Sequence, residues 1–508
     1  MRKWPGRCRV INRVDGMQKV IRSLAAAFAV LSFAVVAEAQ ADSLFREYRR
    51  QRTKEFLNWR AEANAEFSRY LAAAWEEFLI QKGREDIIGP VPEEPVFYDR
   101  SEAVPSGGLH GLPCSGFMSA PAVPVPVPAI SASYSGGESV GVDFFGITAA
   151  VPFHQDMILP RLRATEQDVS DGWKKLSSSD YQPVIEALDS FRQEHSISDW
   201  ALYTIIRKLT EAVYIDEYVN ERILTQMFLL SQMDYRARVG MSGEELILLL
   251  PFDVPVYQVP YVTTEGEDFY IYGYSRVNGR NPLYTFTNDF PSAERNLSLV
   301  IDRQMTVDSS FYRMKTMPGW AEYLGEDLNV PQNIPCVKFT LDYPQSDLLT
   351  YHRSAVDTEL TRAVFSAVRY RILRDGLDPV QSVSFILELI QRGFGYKTDY
   401  EMFGRAKPMF VEESFFYGSN NCKDRVLLFS WLVGDLLGMD VVIFCYKGHA
   451  ACGVALPETV EGDSYMYEGR RYVMCDPTYI GAPVGATMTK YRGVQPQIIG
   501  LQTETAED

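Results

Sequence analysis

A chain of 508 residues, 46% hydrophobic and 13% aromatic, is long enough to bury the cores of two or more domains. Its formal net charge of −16 argues against nucleic acid or an anionic membrane surface as a partner, because both require a basic footprint on the protein. The chain has only five histidines and no Cys-x2-Cys pair, so it gives no sign of a dedicated metal domain.

The first 39 residues predict a secretory signal. A basic segment at 17–22 is followed by an apolar run of about 15 residues and then by Ala-Glu-Ala ending at residue 39. The run is short for a membrane-spanning helix, which needs ~20 residues. We therefore expect residues 1–39 to be an N-terminal extension and a cleaved signal, with an uncleaved anchor as the alternative. The mature protein is then exported to the periplasm or envelope of a bacterium, with no stable membrane span.

Residues 40–84 predict one long helix. Aromatic residues recur every eleven positions along 43–82, first as Phe45, Phe56, Phe67 and Phe78, and three positions later as Tyr48, Trp59 and Tyr70. An eleven-residue period is 3.67 residues per turn, so this seam stays on one face of a nearly straight helix. We expect the face to pack on the protein itself; an arm that binds a protein partner is the alternative.

Residues 85–160 change to a Pro- and Gly-rich composition. The run APAVPVPVPAI favours extended, polyproline-like chain, so this region is predicted to be a linker or a strap across a domain surface. Near its end, residues 142–153 alternate apolar and polar well enough to predict one strand.

The remainder predicts two α+β halves, 161–305 and 306–508, because helical patterns precede strand-like runs in each. The predicted helices are 180–194, 198–214 and 217–233, then 355–375, 378–394 and 422–437; the predicted strands of the first half include 245–252, 259–264 and 268–275. The halves also resemble each other: RILTQMFLLSQMDYRARVG matches CKDRVLLFSWLVGDLLGMDVVIF as a helix, a turn and a strand. This order predicts a weak internal repeat.

The stretch SNNCKDRV places a thiol where a helix is predicted to begin. Asn420 and Asn421 are good N-cap residues, and Asp424 is placed to return a hydrogen bond to the cap, so Cys422 falls in the first turn. Free backbone N–H groups and the helix dipole favour a thiolate there, and a thiolate is the nucleophilic form of cysteine.

His449 is the only histidine after Cys422, and a base beside a thiol is what acyl transfer through a thioester requires. If the strand at 448–456 pairs with 470–477, Asp476 can orient the imidazole as the third member of a triad. With residue 449 opposite 476, side-chain alternation puts Cys452 and Cys475 on the reverse face, where they are candidates for the core or for a disulfide. A metal cluster of these two cysteines with Cys445 and His449 is an alternative.

Three segments, NNCKDRVLLFSWLVGDLLGMDVVIF, KGHAACGVAL and YVMCDPTY, together resemble the transglutaminase-like superfamily over roughly residues 355–490. The resemblance implies a papain-like α+β core, with Cys422 as nucleophile, His449 as general base and acid, and Asp476 as orienting carboxylate. It implies no cofactor, and the acidic loop of calcium-dependent members is missing. It leaves open the second oxyanion donor, for which Tyr417, Asn420 and Asn421 are near in sequence. The N-terminal half is similar to a degenerate copy, with Tyr218 or Thr225 near the nucleophile position.

These features predict an exported thiol hydrolase or acyltransferase acting on amide or isopeptide bonds of a protein or peptide substrate. Exported bacterial members of the family are more often peptidases or amidases than crosslinking enzymes, so hydrolysis is the expected outcome. The alternative is a catalytically inactive envelope scaffold that retains the fold for binding.

Overall fold

The computed structural model describes residues 50–85, 96–98, 139–273 and 282–501. The predicted signal lies outside them. The chain divides into two compact units, Met1–Phe67 and Ser68–Asp508. Within the described ranges, no helix has both the length and the apolar character needed to cross a bilayer.

The fold is α+β, as the sequence predicts. The helices are α1 (50–71), α2 (Glu166–Ser177), α3 (Gln182–His195), α4 (Asp199–Val213), α5 (Val219–Gln232), α6 (Pro318–Leu324), α7 (Ile334–Thr340), α8 (Leu348–Arg353), α9 (Thr358–Asp375), α10 (Pro379–Gly393), α11 (Asp399–Phe403), α12 (Val411–Tyr417) and α13 (Cys422–Trp431). The strands are β1 (Glu76–Phe78), β2 (Ser139–Phe144), β3 (Ile147–Pro152), β4 (Arg238–Ser242), β5 (Glu245–Pro251), β6 (Tyr261–Thr264), β7 (Glu267–Tyr272), β8 (Leu283–Thr285), β9 (Tyr312–Met317), β10 (Leu328–Asn333), β11 (Gly395–Tyr396), β12 (Ser419–Asn420), β13 (Val441–Tyr446), β14 (His449–Val454), β15 (Ser464–Tyr467), β16 (Arg470–Cys475) and β17 (Gln497–Gly500).

The helix predicted over 43–82 ends earlier than predicted. Its first residues lie outside the described ranges, α1 stops at residue 71, and Glu76–Phe78 pairs with β8 as a strand. The indole N–H of Trp75 donates to the Leu71 carbonyl at 3.0 Å, and its ring packs edge-on against Phe286 at 5.3 Å between centroids. The local indole hydrogen bond satisfies one of the last carbonyls of the helix, and the long-range ring contact with Phe286 holds Trp75 in that position. The aromatic spacing therefore continues from a helix into a strand.

The segment predicted as one strand at 142–153 is a two-stranded hairpin of β2 and β3. Its turn is Phe145-Gly146, with φ of 54° and 102°. Two-residue hairpin turns require positive φ, which Asn-Gly supplies far more readily than Phe-Gly. The alternating pattern is real, but nothing in its turn residues predicts the reversal.

Residues 96–98 of the predicted linker or strap run beside the C-terminal half. Ile480 N–H donates to the Val96 carbonyl, and Tyr98 N–H donates to the Ile480 carbonyl, both at 2.9 Å. The ring of Tyr98 packs edge-on against Tyr479 at 5.4 Å. This short piece therefore lies across the loop that follows β16, and the rest of the predicted linker falls mostly outside the described ranges.

The two halves share one sheet topology. The first sheet has the order β1-β8-β4-β5-β7-β6 and the second β15-β16-β14-β13-β17, with every neighbouring pair antiparallel. If β1 is left aside and the second order is read in reverse, β4, β5, β6, β7 and β8 take the positions of β13, β14, β15, β16 and β17, respectively. In each half a helix, α5 or α13, leads into the first of these strands and packs on the second. The internal repeat that the sequence predicts is therefore present as a repeat of topology.

Helix α13 is the element that positions the candidate site. It packs against β14 on one side and against α8, α10 and α12 on others, and all ten of its residues are buried. Just before it, the short strand β12 pairs in parallel with β11, which follows α10. The start of α13 is thus held between the sheet and the end of α10.

Candidate active site

Cys422 is the first residue of α13, as the sequence predicts, with Asn421 as the N-cap. The Asn421 backbone N–H donates to Asp424 Oδ2 at 3.1 Å, the return bond expected of a capping box. The first-turn N–H groups of a helix have no partner four residues back, so those around Cys422 can serve a negative charge.

A buried ion network lies beside this helix start. Lys423 Nζ donates to Asp399 Oδ1 at 2.6 Å and to Asp424 Oδ1 at 3.1 Å, and Asn421 Nδ2 donates to Asp399 Oδ1 at 2.7 Å. Burial opposes protonation of Lys423, but the two carboxylates outweigh it and raise the pKa of the ammonium. Losing one partner of a buried ion network is strongly destabilising, so this network fixes the backbone that carries Cys422.

His449 and Asp476 come together with Cys422. His449 begins β14, and Asp476 directly follows β16. His449 Nε2–H donates to Asp476 Oδ2 at 2.8 Å, and Cys422 lies close enough to the ring to raise its pKa as well. Because Nε2 is occupied, Nδ1 is the nitrogen that serves the thiol. Asp476 Oδ1 accepts backbone N–H groups of Thr478 and Tyr479, at 2.9 and 3.1 Å.

The environment of His449 favours the imidazolium. Burial alone would lower the pKa of the ring, but the charge and hydrogen bond of Asp476, followed by those of Cys422, raise it to about 10. An imidazolium beside a thiol is the arrangement that favours a thiolate in cysteine hydrolases.

The sheet register differs from the predicted one. Cys452 pairs with Cys475, so residue 449 is not directly opposite 476 as predicted. Asp476 lies one residue beyond the end of β16 and reaches His449 diagonally, a separation that long side chains can span. The observed register is shifted by two residues from the predicted one, and a shift of two leaves each side chain on the same face of the sheet. Cys452 and Cys475 therefore lie on the face opposite His449, as alternation predicts.

Cys452 and Cys475 are buried free thiols. Burial raises the pKa of both, and Cys452 Sγ lies 3.6 Å from the Val426 carbonyl oxygen of α13. The sequence left two roles open for these cysteines, core packing or a disulfide, and the structure shows them packed in the core as free thiols. Among the described residues no three His, Cys, Asp or Glu side chains converge as metal ligands, which removes the metal cluster with Cys445.

Two buried side chains that no local sequence pattern indicates, Arg425 and Gln391, connect the segments that carry Cys422 and Asp476. Arg425 donates to Asn420 Oδ1 at 2.9 Å and to the carbonyls of Gln391, Phe394, Gly395 and Pro477 at 3.0–3.3 Å. Gln391 Nε2 donates to the Asp476 carbonyl at 3.0 Å. Together they join the residues before Cys422 to those around Asp476. A charge pattern along α13 could not reveal this, because the acceptors are backbone groups distant in sequence.

Tyr491 covers the imidazole. Its ring stacks on His449 with a centroid distance of 5.1 Å and an interplanar angle of 6°, and it also stacks on Tyr446 at 4.6 Å. Tyr491 was not selected from the sequence either, since it lies in a 3-10 turn far from any strand of the motif. It restricts the ring plane and shields it from water.

The N-terminal half has the topology but not the triad. Aligned by the helix start and by the strand pairing, the positions of Cys422, His449 and Asp476 correspond to Val219, Glu245 and Gly273. The two residues predicted near the nucleophile position do not replace it. Tyr218 is the residue before α5, and Thr225 is buried with its hydroxyl 3.2 Å from that of Tyr214.

Comparisons with family models, with curated proteins and with solved structures gave no match to this chain.

Proposed function

We propose that the protein is an exported thiol hydrolase or acyltransferase with a transglutaminase-like core, acting on amide or isopeptide bonds of proteins or peptides. One observation carries this proposal: the imidazole of His449 hydrogen-bonds Asp476 and interacts with Cys422, which lies at the N-terminus of a helix. Nucleophile, base and orienting carboxylate are the three parts that acyl transfer needs.

In the proposed reaction, the Cys422 thiolate attacks the amide carbonyl carbon and forms a tetrahedral oxyanion. The C–N bond then breaks, and the amine leaves with a proton from the His449 imidazolium. The product is a thioester on Cys422. Water, deprotonated by His449, attacks the thioester and releases the acid, which regenerates the thiolate and imidazolium. A second amine in place of water would give transamidation; hydrolysis is the proposed outcome.

The oxyanion is proposed to bind Asn420 Nδ2 and the backbone N–H of Cys422. Asn420 Oδ1 accepts from Arg425 Nε, which fixes the orientation of the amide. Its Nδ2 is buried and has no hydrogen-bond partner among the described residues. A buried donor without a partner is costly, and a site two residues before the nucleophile gives it a use in catalysis.

Acylation by p-nitrophenyl acetate tests this proposal. The wild-type protein is expected to release p-nitrophenol in a burst and to gain an acetyl group on Cys422, detected by peptide mass spectrometry. Cys422→Ala should abolish both the burst and the acetylation. Cys475→Ala removes a thiol on the face of the sheet opposite His449 and should leave the burst and the acetylation intact. A screen of peptide amides would then define the substrate.

A catalytically inactive scaffold or binding protein of the same fold is the second candidate, and the burial of the triad favours it. The exposed fractions are 2% for Cys422, 5% for His449 and 3% for Asp476, so a substrate reaches the thiol only if the surrounding chain opens. A folded wild-type protein that p-nitrophenyl acetate does not acylate would support this second candidate.

A further inference from the structure

A cavity of about 400 Å³ lies where α4 of the N-terminal half meets α7, α11 and α12 of the C-terminal half. Its volume is in the range of small-molecule sites, ~300–1,000 Å³. None of its lining residues belongs to the proposed triad. The cavity is therefore a candidate binding site separate from the triad.

The cavity is basic in an acidic protein. Four cationic side chains line it, Arg207, Lys208, Lys338 and Arg405, against one carboxylate, Asp342. The chain as a whole carries a net charge of −16. A local excess of positive charge in a concave, partly apolar site attracts an anion.

Arg207 pairs with Glu211 at 4.0 Å and Arg405 with Asp342 at 3.9 Å, whereas Lys208 and Lys338 form no direct ion pair within the described ranges. The carboxylates of Asp143 and Glu211 act on Lys208 only from a greater distance. Lys208 is only 6% exposed, yet within the described ranges it forms no hydrogen bond or ion pair; its ammonium lies 4.8 Å from the centroid of the Phe145 ring. Lys338 likewise has no ion pair there. Burial lowers the pKa of Lys208, which is the sign of an ammonium held in an unfavourable place. Arg405, in contrast, donates to the Leu341 carbonyl at 2.7 Å. An ammonium in a largely buried side chain that has no direct ion pair would be stabilised by an anion bound in the cavity.

Aromatic rings form the apolar part of the lining: Phe145, Trp200, Phe339, Phe403 and Tyr417. Phe145 is held at φ 54° in the β2–β3 turn. A bulky residue at positive φ is an outlier, and here the strained backbone presents its ring to the cavity. Aromatic walls beside ammonium groups suit a ligand with a flat apolar ring and a negative charge.

We propose that this cavity binds a small organic anion that carries an aromatic or other flat apolar ring, with the ammonium groups of Lys208 and Lys338 holding the anionic group. The proposal does not depend on the activity proposed for Cys422.

Two fluorescent probes that differ chiefly in charge test it on the full chain. The probes are 8-anilinonaphthalene-1-sulfonate and its uncharged relative N-phenyl-1-naphthylamine. Each would be titrated into wild-type protein, Lys208→Met, Lys338→Met and the control Lys174→Met, which changes an exposed lysine of α2 outside the cavity. Thermal unfolding of each variant, without probe, would check folding.

The wild-type protein and Lys174→Met are expected to bind the sulfonate saturably and more tightly than the uncharged probe. Each cavity variant should weaken sulfonate binding about tenfold, because a charge-assisted contact is lost. Lys208→Met should also melt at a higher temperature than wild type, since it removes an ammonium that burial destabilises and that has no direct ion pair. Equal affinity for the two probes, or unchanged sulfonate binding in both folded cavity variants, would overturn the proposal.

Discussion

His449 Nε2 lies 2.8 Å from Asp476 Oδ2 while Cys422 also acts to raise the pKa of the same ring, so a single imidazole interacts with a buried carboxylate and a buried thiol. The carboxylate is itself fixed by two backbone N–H groups and cannot turn away from the ring. The acid–base behaviour of His449 therefore depends on Asp476.

Asp476→Asn should lower the pKa of His449 from about 10, leaving Cys422 as the group that still raises it. Burial of the ring, which lowers its pKa, would then act without the opposing charge of Asp476. NMR titration of the histidine ring protons, with the His449 signal assigned by His449→Ala, would measure the change. Asp375→Asn, which alters an ion pair on α9, is the control and should leave the titration unchanged. A His449 signal that still titrates near 10 in Asp476→Asn would contradict this assignment.

The raised pKa of His449 also predicts how stability depends on pH. Its folded value of about 10 is above the unfolded value of ~6.5, so the folded state binds the proton more tightly. The stabilisation from His449 is fully present below pH ~6.5 and is lost as pH rises through about 10. Urea unfolding should therefore show the free-energy advantage of wild type over His449→Ala shrinking across that window. An advantage that grows with pH would show that the sign is wrong.

Asn420→Asp separates the proposed oxyanion donor from its structural role. Aspartate keeps an oxygen for Arg425 Nε but has no N–H to offer the oxyanion. The rate of acylation by p-nitrophenyl acetate is expected to fall by ~10²–10³. Asn329→Asp, an exposed position on β10, should have no effect. Equal rates in wild type and a folded Asn420→Asp protein would remove Asn420 from the mechanism.

Arg425→Met should be among the most destabilising substitutions near the site. It leaves Asn420 Oδ1 and four backbone carbonyls without their buried donor, and we expect a loss of ~3–5 kcal/mol in the free energy of unfolding. Arg425→Lys should lose part of this, because an ammonium cannot reproduce the planar fork. Arg362, which forms an exposed ion pair with Glu359, supplies the control. The free energy of unfolding of Arg362→Met is expected to stay within ~0.5 kcal/mol of wild type. Guanidinium unfolding would measure the free energy of unfolding of all three variants. A loss in Arg425→Met no larger than that in Arg362→Met would contradict the structural role given to the Arg425 hydrogen bonds.

The parts of the site that follow from local rules could be predicted from the sequence. Cap chemistry placed Cys422 at a helix start, and strand alternation separated Cys452 and Cys475 from His449. The exact register could not be predicted, because alternation is unchanged by a shift of two residues. Arg425, Gln391 and Tyr491 remained hidden since their partners are distant in sequence.

The fold shows the same division between local and long-range information. Helix periodicity located six helices within a few residues at each end, namely α3, α4, α5, α9, α10 and α13. It did not predict α2 or the shorter helices α6, α7, α8, α11 and α12. The early end of α1 depends on Trp75 contacting Phe286, a contact that no local pattern contains. The β2–β3 reversal depends on a turn at Phe145 that runs against the usual residue preferences.

Iodoacetamide labelling at pH ~6.5, with the rate at each thiol followed by peptide mass spectrometry, shows directly whether His449 activates Cys422. Only a thiolate reacts with iodoacetamide, and an ordinary thiol is largely protonated at this pH. Cys452 and Cys475, buried thiols with raised pKa, are internal controls in the same molecule. Cys422 is expected to be labelled fastest, and His449→Ala should slow its labelling at least about tenfold while labelling of the two controls does not change. Labelling of Cys422 no faster than that of Cys452, or a rate that His449→Ala leaves unaltered, would contradict the triad.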